Sequence, residues 1–248
     1  MDYERAVATA PPGWTHFQAA DLDRLPPAVR KREWARVPAV DRELLEAGDG
    51  DAWGRALRAF FWTLVYHLEP NLWDELAAVE PIHPALVSAL PTSVDRALDV
   101  GAGSGRLTAH LLGRCRNVVA VEPSIGLRNL LHHRLPAVNV VAGWAEALPL
   151  GDGCSQLTAA CGSVGPDPLL LRELHRVTTP GGVIALIGPE SPEWFESNGW
   201  HRRSLPAPAA LKHDRWIDEF FGPPDPPHEL VMTRVARGPL QLFPAESL

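Results

Sequence analysis

"RALDVGAGSGRL", residues 96–107, places Gly101, Gly103 and Gly105 directly behind a short apolar run that carries one acid, Asp99. A run of this length opening into a glycine-rich turn reads as a buried strand followed by a nucleotide-cradling loop. The dinucleotide fingerprint G-x-G-x-x-G requires its third glycine at position 106, and that position is Arg106. Asp99 stands two residues before Gly101, where a carboxylate repels a pyrophosphate and suits a cationic ligand group. Seventeen residues after Gly105 the run "NVVAVE" (117–122) ends in Glu122. An acid at such a strand end accepts hydrogen bonds from both hydroxyls of a ribose. The spacing therefore specifies a ribose with a partly cationic tail rather than a diphosphate.

The alternation continues outward from the loop. "GRLTAHLLGRC" (105–115) reads as a helix, 117–122 as a strand, "IGLRNLLHHRL" (125–135) as a helix and "VNVVAG" (138–143) as a strand. "SQLTAACGSV" (155–164) is a further strand, "PLLLRELHRV" (168–177) a helix, and "TPGGVIALIG" (179–188) a Pro-Gly-Gly turn leading into a strand. Short β-rich runs separated by helices predict an α/β fold with a doubly wound, mostly parallel sheet. Beyond it come a helix over about 209–221, the loop "GPPDPPH" (222–228), one strand candidate "ELVMTRVA" (229–236) and a tail expected to fray. With one strand candidate there, the C-terminal edge of the sheet is expected to be abbreviated. The first 92 residues differ: they are helical in pattern, punctuated by proline, and hold Trp14, Trp34, Trp53, Trp62 and Trp73. "GRALRAFFWTLVYHLE" (54–69) is apolar nearly all round and predicts one buried or covering helix. Pro70 is expected to end it and Asn71 to cap the next helix. The expected division is a helical cap over 1–92 and a ligand-binding domain over 93–248.

A chain of 248 residues with 46% hydrophobic content supports one sizeable core plus a modest appendage. Its formal charge, 23 minus 30, is −7, which argues against the basic excess of a nucleic-acid binder. The densest basic stretch, Arg24 to Arg42, is interleaved with acids and reads as a solvated helical face. Cys115, Cys154 and Cys161 show no zinc spacing, and fit a reducing compartment. The N-terminus lacks the basic flank and apolar stretch of a signal peptide, and no run of about 18 apolar residues occurs. A cytoplasmic protein without a membrane partner is expected.

"ALDVGAGSG", "VVAVEPS", "AGWAEALPL" and "ELHRVTTPGG" resemble, in order and spacing, the successive motifs of class I S-adenosylmethionine-dependent methyltransferases over roughly residues 95–190. The resemblance implies a Rossmann-like methyltransferase fold, S-adenosyl-L-methionine as cofactor and S-adenosyl-L-homocysteine as product. It would place Asp99, Gly101, Ala102, Gly103 and Gly105 around the methionine part of the cofactor and Glu122 at the ribose. Pro123 and Ser124 would flank the adenine pocket, with Ala145 and Glu146 on the adenine side. Trp73, followed by Asp74, would adjoin the cofactor, and Cys161 and Gly162 would lie beneath the sulfonium.

Two departures accompany the resemblance. Trp144 stands where many members carry an acid, so its indole either stacks on adenine or lies against the sheet. Gln156 replaces an acid at a position that is generally structural. The loop "CGSVGPDP" (161–168) lacks the Asn/Asp-Pro-Pro-aromatic motif of amino-methylating enzymes, which argues against an exocyclic amine as acceptor. No catalytic dyad is recognisable; His16, His67 and His201 are the candidate bases. The tryptophan-rich cap favours a small, partly apolar acceptor, with no nucleic-acid partner. The alternatives are a regulatory or scaffold protein that binds the cofactor without transferring a methyl group, and a nicotinamide-dependent reductase, which Arg106 and Asp99 disfavour.

Overall fold

The computed structural model describes residues 2–235. Their centre is a sheet of order β3-β2-β1-β4-β5-β7-β6. The strands are β1 (Val94–Val100), β2 (Cys115–Val121), β3 (Asn139–Val141), β4 (Ser155–Cys161), β5 (Thr178–Ile187), β6 (His201–Ser204) and β7 (Glu229–Arg234). Strands β1 to β5 pair in parallel, and β7 runs antiparallel to both β5 and β6. This is the predicted doubly wound α/β sheet. Its order reverses between β1 and β4, and the crevice outside their carboxyl ends is where such sheets bind ligands.

The abbreviated edge expected from the sequence is not observed, because β6 completes it. All four of its residues, His201, Arg202, Arg203 and Ser204, are exposed, so the strand carries no apolar alternation by which to recognise it. Pairing with β7 and the Arg202 contact to Glu229 (Nε to Oε2, 3.1 Å) hold it in place. Likewise the expected Pro-Gly-Gly turn is absorbed into β5, opposite a register shift between Ser155 and Leu157 of β4.

Ahead of the sheet lie α1 (Tyr3–Ala8), α2 (Asp21–Arg24), α3 (Pro27–Arg36), α4 (Ala39–Glu46), α5 (Gly50–Ala59), α6 (Phe61–Leu68), α7 (Pro70–Val79) and α8 (Pro84–Ala89). The single helix expected over 54–69 is broken at Phe60 into α5 and α6. Phe60 and Phe61 are both fully buried there. Pro70 does not merely end α6: it is the first residue of α7, and Asn71 lies inside that helix instead of capping it. Proline suits the first helical position because the N–H it lacks would have no intrahelical partner. Helices α1 to α7 share a core around Phe17, Phe60, Phe61 and Leu64, whereas Leu86 and Val87 of α8 pack with the sheet.

Within the sheet domain come α9 (Arg106–Leu112), α10 (Ile125–Arg134), α11 (Pro168–Val177), α12 (Pro192–Ser197) and α13 (Arg215–Phe221). The expected C-terminal helix starts at Arg215, not near 209. Its Ile217 and Phe221 join the core of the N-terminal helices, and Phe221 stacks on Trp62 at 5.8 Å. The chain thus returns from the sheet to complete the cap. The tail that the sequence leads one to expect to fray and the last residue of the strand candidate 229–236 lie outside the described residues.

Candidate functional site

Strand β1 ends in the loop read first from the sequence, and Gly101, Gly103 and Gly105 all have positive φ (68°, 57° and 99°). That conformation is open to glycine at little cost, and the left-handed Gly105 leads directly into α9. Glu122, just past β2 and almost wholly buried, braces the loop. Its Oε2 accepts from the Gly103 N–H (2.9 Å) and its Oε1 from the Ser124 N–H (2.8 Å). Burial raises the Glu122 pKa, opposed by these two bonds. Each oxygen keeps further lone pairs for a ligand hydroxyl.

Asp99 lies under the loop, 1% exposed. Its Oδ2 accepts from Thr108 Oγ1 at 2.6 Å, whereas Oδ1 has no partner. Burial pushes its carboxyl up to about 7, the Thr108 hydrogen bond opposing the rise. A buried polar atom without a partner is costly unless a ligand satisfies it. The cleft above is lined by Trp73, Ala77, Asp99, Gly101, Ala102, Gly103, Ser104, Arg106 and Cys161. Burial also pushes up the Cys161 thiol, at the end of β4. Gly162 follows with φ 68° and open space around it.

The cap closes over this cleft. Trp62, Tyr66 and Trp73 form an aromatic cluster, with Tyr66 and Trp73 edge to face at 5.0 Å. Ser124 Oγ donates to the Tyr66 carbonyl (2.6 Å), and Arg134 clasps Asp74 (2.7 and 3.0 Å) while donating to the Ser104 carbonyl. Arg106 pairs with Glu80 (3.1 Å). On the adenine side predicted by resemblance, the Arg32 guanidinium lies 4.3 Å from the Trp144 ring centre and pairs with Glu146. Trp144 therefore packs against the cap, and Ala145 is partly buried beside it. The enclosed space is about 20 Å3, whereas sites for small ligands enclose about 300–1,000 Å3. In this arrangement the cleft does not admit a ligand as large as a nucleoside.

Of the residues expected at the site, Trp73, Asp99, Gly101, Ala102, Gly103 and Cys161 meet at the cleft, and Glu122 reaches it through the Gly103 N–H. Arg106, in the sequence only the residue that replaces a fingerprint glycine, also lines the cleft, and Glu80, which no sequence signal marks, is its partner. None of the three candidate bases lines the cleft. His16 sits on the cap surface, 5.6 Å from Phe220 and 4.0 Å from Glu69. His201 lies on the exposed strand β6. His67 lies 6.3 Å from Trp144, and burial lowers its pKa to about 4. Phe195 and Trp200, from the segment 192–203, are buried with Leu170 and Leu174.

A parallel sheet that reverses at a glycine loop, with an acid under the loop and another at the next strand end, defines a doubly wound, Rossmann-like α/β domain. Residues 98–186 match the profile of a methyltransferase-domain family. A methyltransferase of uncharacterised role from Mycobacterium tuberculosis is 36% identical over 100 residues, 40% of this chain and 41% of that protein. The malonyl-[acyl-carrier protein] O-methyltransferase of Pectobacterium atrosepticum is 31% identical over 158 residues, 61% of this chain and 57% of that one. The chain thus spans about half the length of these curated relatives. Among solved structures, the protein in complex with the Trm112 methyltransferase activator of Haloferax volcanii shares the fold, with a TM-score of 0.51 and 15% identity over 68% of this chain and 95% of that one. Residues 98–186 are thus similar to a methyltransferase domain, on a sheet whose fold a solved methyltransferase complex shares. Among the described residues no helix is long and apolar enough to cross a membrane.

Proposed function

We propose that this protein binds S-adenosyl-L-methionine and transfers its methyl group to a small, partly apolar acceptor, leaving S-adenosyl-L-homocysteine. The cofactor supplies an electrophilic methyl on a sulfonium, so the protein's part is to bind, orient and exclude water. The observation that carries this reading is the bracing of the glycine loop by Glu122, beside an Asp99 whose Oδ1 has no partner. Glu122 would take the ribose hydroxyls and Asp99 the cationic amino end. Gly101 and Ala102 would line the methionine, Pro123, Ser124, Trp144, Ala145 and Glu146 would border the adenine, and Cys161 and Gly162 would lie at the sulfonium. The apolar cap around Trp62 and Trp73 would shield the reacting atoms, and a relative from Beutenbergia cavernae named a demethylmenaquinone methyltransferase supports a small apolar acceptor, whereas the Pectobacterium relative is named for a malonyl group on a carrier protein.

Calorimetry with S-adenosyl-L-homocysteine and with NADH, followed by a labelled-methyl assay over an acceptor panel, tests the proposal. Micromolar S-adenosyl-L-homocysteine binding with methyl transfer is expected; binding of NADH alone would overturn it. A second reading, a cofactor-binding regulatory protein without transfer, is favoured by the closed cleft and by the absence of a histidine from its lining. Binding without transfer to any acceptor would select it.

A further inference from the structure

The residue that breaks the dinucleotide fingerprint supplies a charge that the cleft would otherwise lack. Among the described residues lining the cleft, the ionisable oxygen and nitrogen groups are one carboxylate, Asp99, and one guanidinium, Arg106. Arg106 occupies the first position of α9. Its Nη1 donates to the Glu80 carbonyl (2.9 Å) and to Glu80 Oε2 (3.1 Å), and its Nη2 lies 3.6 Å from Cys161 Sγ. The other Glu80 oxygen accepts from the Asp225 N–H at 3.1 Å. Both side chains of the pair are largely withdrawn from solvent, at 17% and 13% exposure. A guanidinium so placed needs an anionic partner at all times, because an unpaired buried charge is strongly disfavoured.

An acid with an unpartnered oxygen and a paired guanidinium, facing one small cleft, complement an α-amino-acid zwitterion: ammonium to Asp99, carboxylate to Arg106. We propose that Arg106 binds the carboxylate of the methionine tail of the cofactor, taking it in exchange for Glu80. This rests on the cofactor reading above and adds a residue to it. The exchange keeps Arg106 neutralised throughout, so it requires no unpaired buried cation. It also unties the end of α7 from the glycine loop, so that ligand binding and loosening of the cap beside Trp73 are one event. The Glu80 carboxyl, whose pKa burial raises, retains the Asp225 N–H after release.

Calorimetry on the full chain tests this with two ligands, S-adenosyl-L-homocysteine and its decarboxylated analogue S-adenosyl-3-thiopropylamine. The native protein should prefer the carboxylate-bearing ligand by about 10–100-fold, the range a charge-assisted contact supplies. Arg106→Met should abolish that preference by weakening S-adenosyl-L-homocysteine alone. Arg106→Lys, which retains the charge but not the fork, should keep part of it. Glu80→Gln should bind S-adenosyl-L-homocysteine as tightly as the native protein or more so. Equal affinity of the native protein for both ligands overturns the proposal and leaves the cofactor reading intact. So does an Arg106→Met protein that keeps the preference, or that weakens both ligands by the same factor. Should Arg106→Met fail to fold, a full preference retained by Arg106→Lys together with weaker binding by Glu80→Gln overturns it equally. A native protein that binds neither ligand refutes the cofactor reading itself, and the proposal with it.

Discussion

Trp73 Nε1 lies 3.2 Å from the point where a Cβ on Gly103 would stand, so cap and glycine loop meet with no side chain between them. Gly103→Ala therefore carries two penalties, the left-handed backbone at φ 57° and the displacement of the indole. Gly162→Ala is the matched control: its φ is 68° and no atom lies within 4 Å. Both should lose roughly 1–2 kcal/mol from the backbone conformation, and Gly103→Ala about 1 kcal/mol more from overpacking. Urea unfolding of the two variants measures the difference. Equal losses would mean that Trp73 does not bear on the loop.

Glu122 accepts two backbone N–H groups, from Gly103 and Ser124. Glu122→Gln keeps one acceptor oxygen but turns an amide NH2 toward the second N–H, leaving a buried donor unpaired. A loss of about 1–3 kcal/mol in stability is expected, together with weaker S-adenosyl-L-homocysteine binding. Thermal melts and calorimetry check both. An unchanged melt would show that the carboxylate does not organise the loop.

What the sequence disclosed follows from what kind of signal each element leaves. Strands β1, β2, β4 and β5 are buried on both faces, so they stand out as apolar runs, and the glycine loop is marked by its conformational demands. Strand β6 leaves no such mark because His201 to Ser204 face solvent and are held by pairing with β7. The break at Phe60 was equally silent: an apolar stretch reads as one helix until tertiary packing divides it. At the site, Asp99 and Glu122 were legible from spacing. Glu80 was not, since its role depends on Arg106, 26 residues further along the chain.

Arg32 joins the cap to the sheet domain through the Trp144 ring at 4.3 Å and the Glu146 carboxylate. The Arg32 side chain is 39% exposed, so solvent screens much of the pair, and exposed ion pairs contribute only about 0.2–1 kcal/mol. The cation–π contact adds about 0.5–1 kcal/mol. Arg32→Ala should cost about 1 kcal/mol, and Arg32→Lys should recover little because it cannot both stack and fork. A double-mutant cycle with Glu146→Ala should give a coupling that shrinks in high salt. Strict additivity at low salt would remove the pair from the account of how the cap is held.

Asp99 sets a pH dependence whose sign follows from burial. Its carboxyl titrates at about 7 in the folded chain against an ordinary 3.8, so folding favours the protonated acid. The associated stability is fully present below about pH 4 and is lost as pH rises through 7, with a slope of up to about 1.4 kcal/mol per unit. Asp99→Asn should remove this slope in thermal unfolding measured from pH 5 to 8. The charged and titratable neighbours, Glu122, Arg106 and Cys161, together with the Thr108 hydroxyl, remain unchanged in that variant. On the proposed cofactor reading, a ligand ammonium beside Asp99 would reverse the bias by favouring the carboxylate and lowering its pKa. S-adenosyl-L-homocysteine binding at pH 6.5 should then release a proton, seen as a dependence of the calorimetric heat on buffer ionisation enthalpy. Affinity should rise as pH climbs toward 7.5, while the ligand's own amino group stays largely charged. The Asn variant should show neither effect. Proton uptake by the native protein, or release that persists in Asp99→Asn, would place the ligand's cation away from this carboxylate.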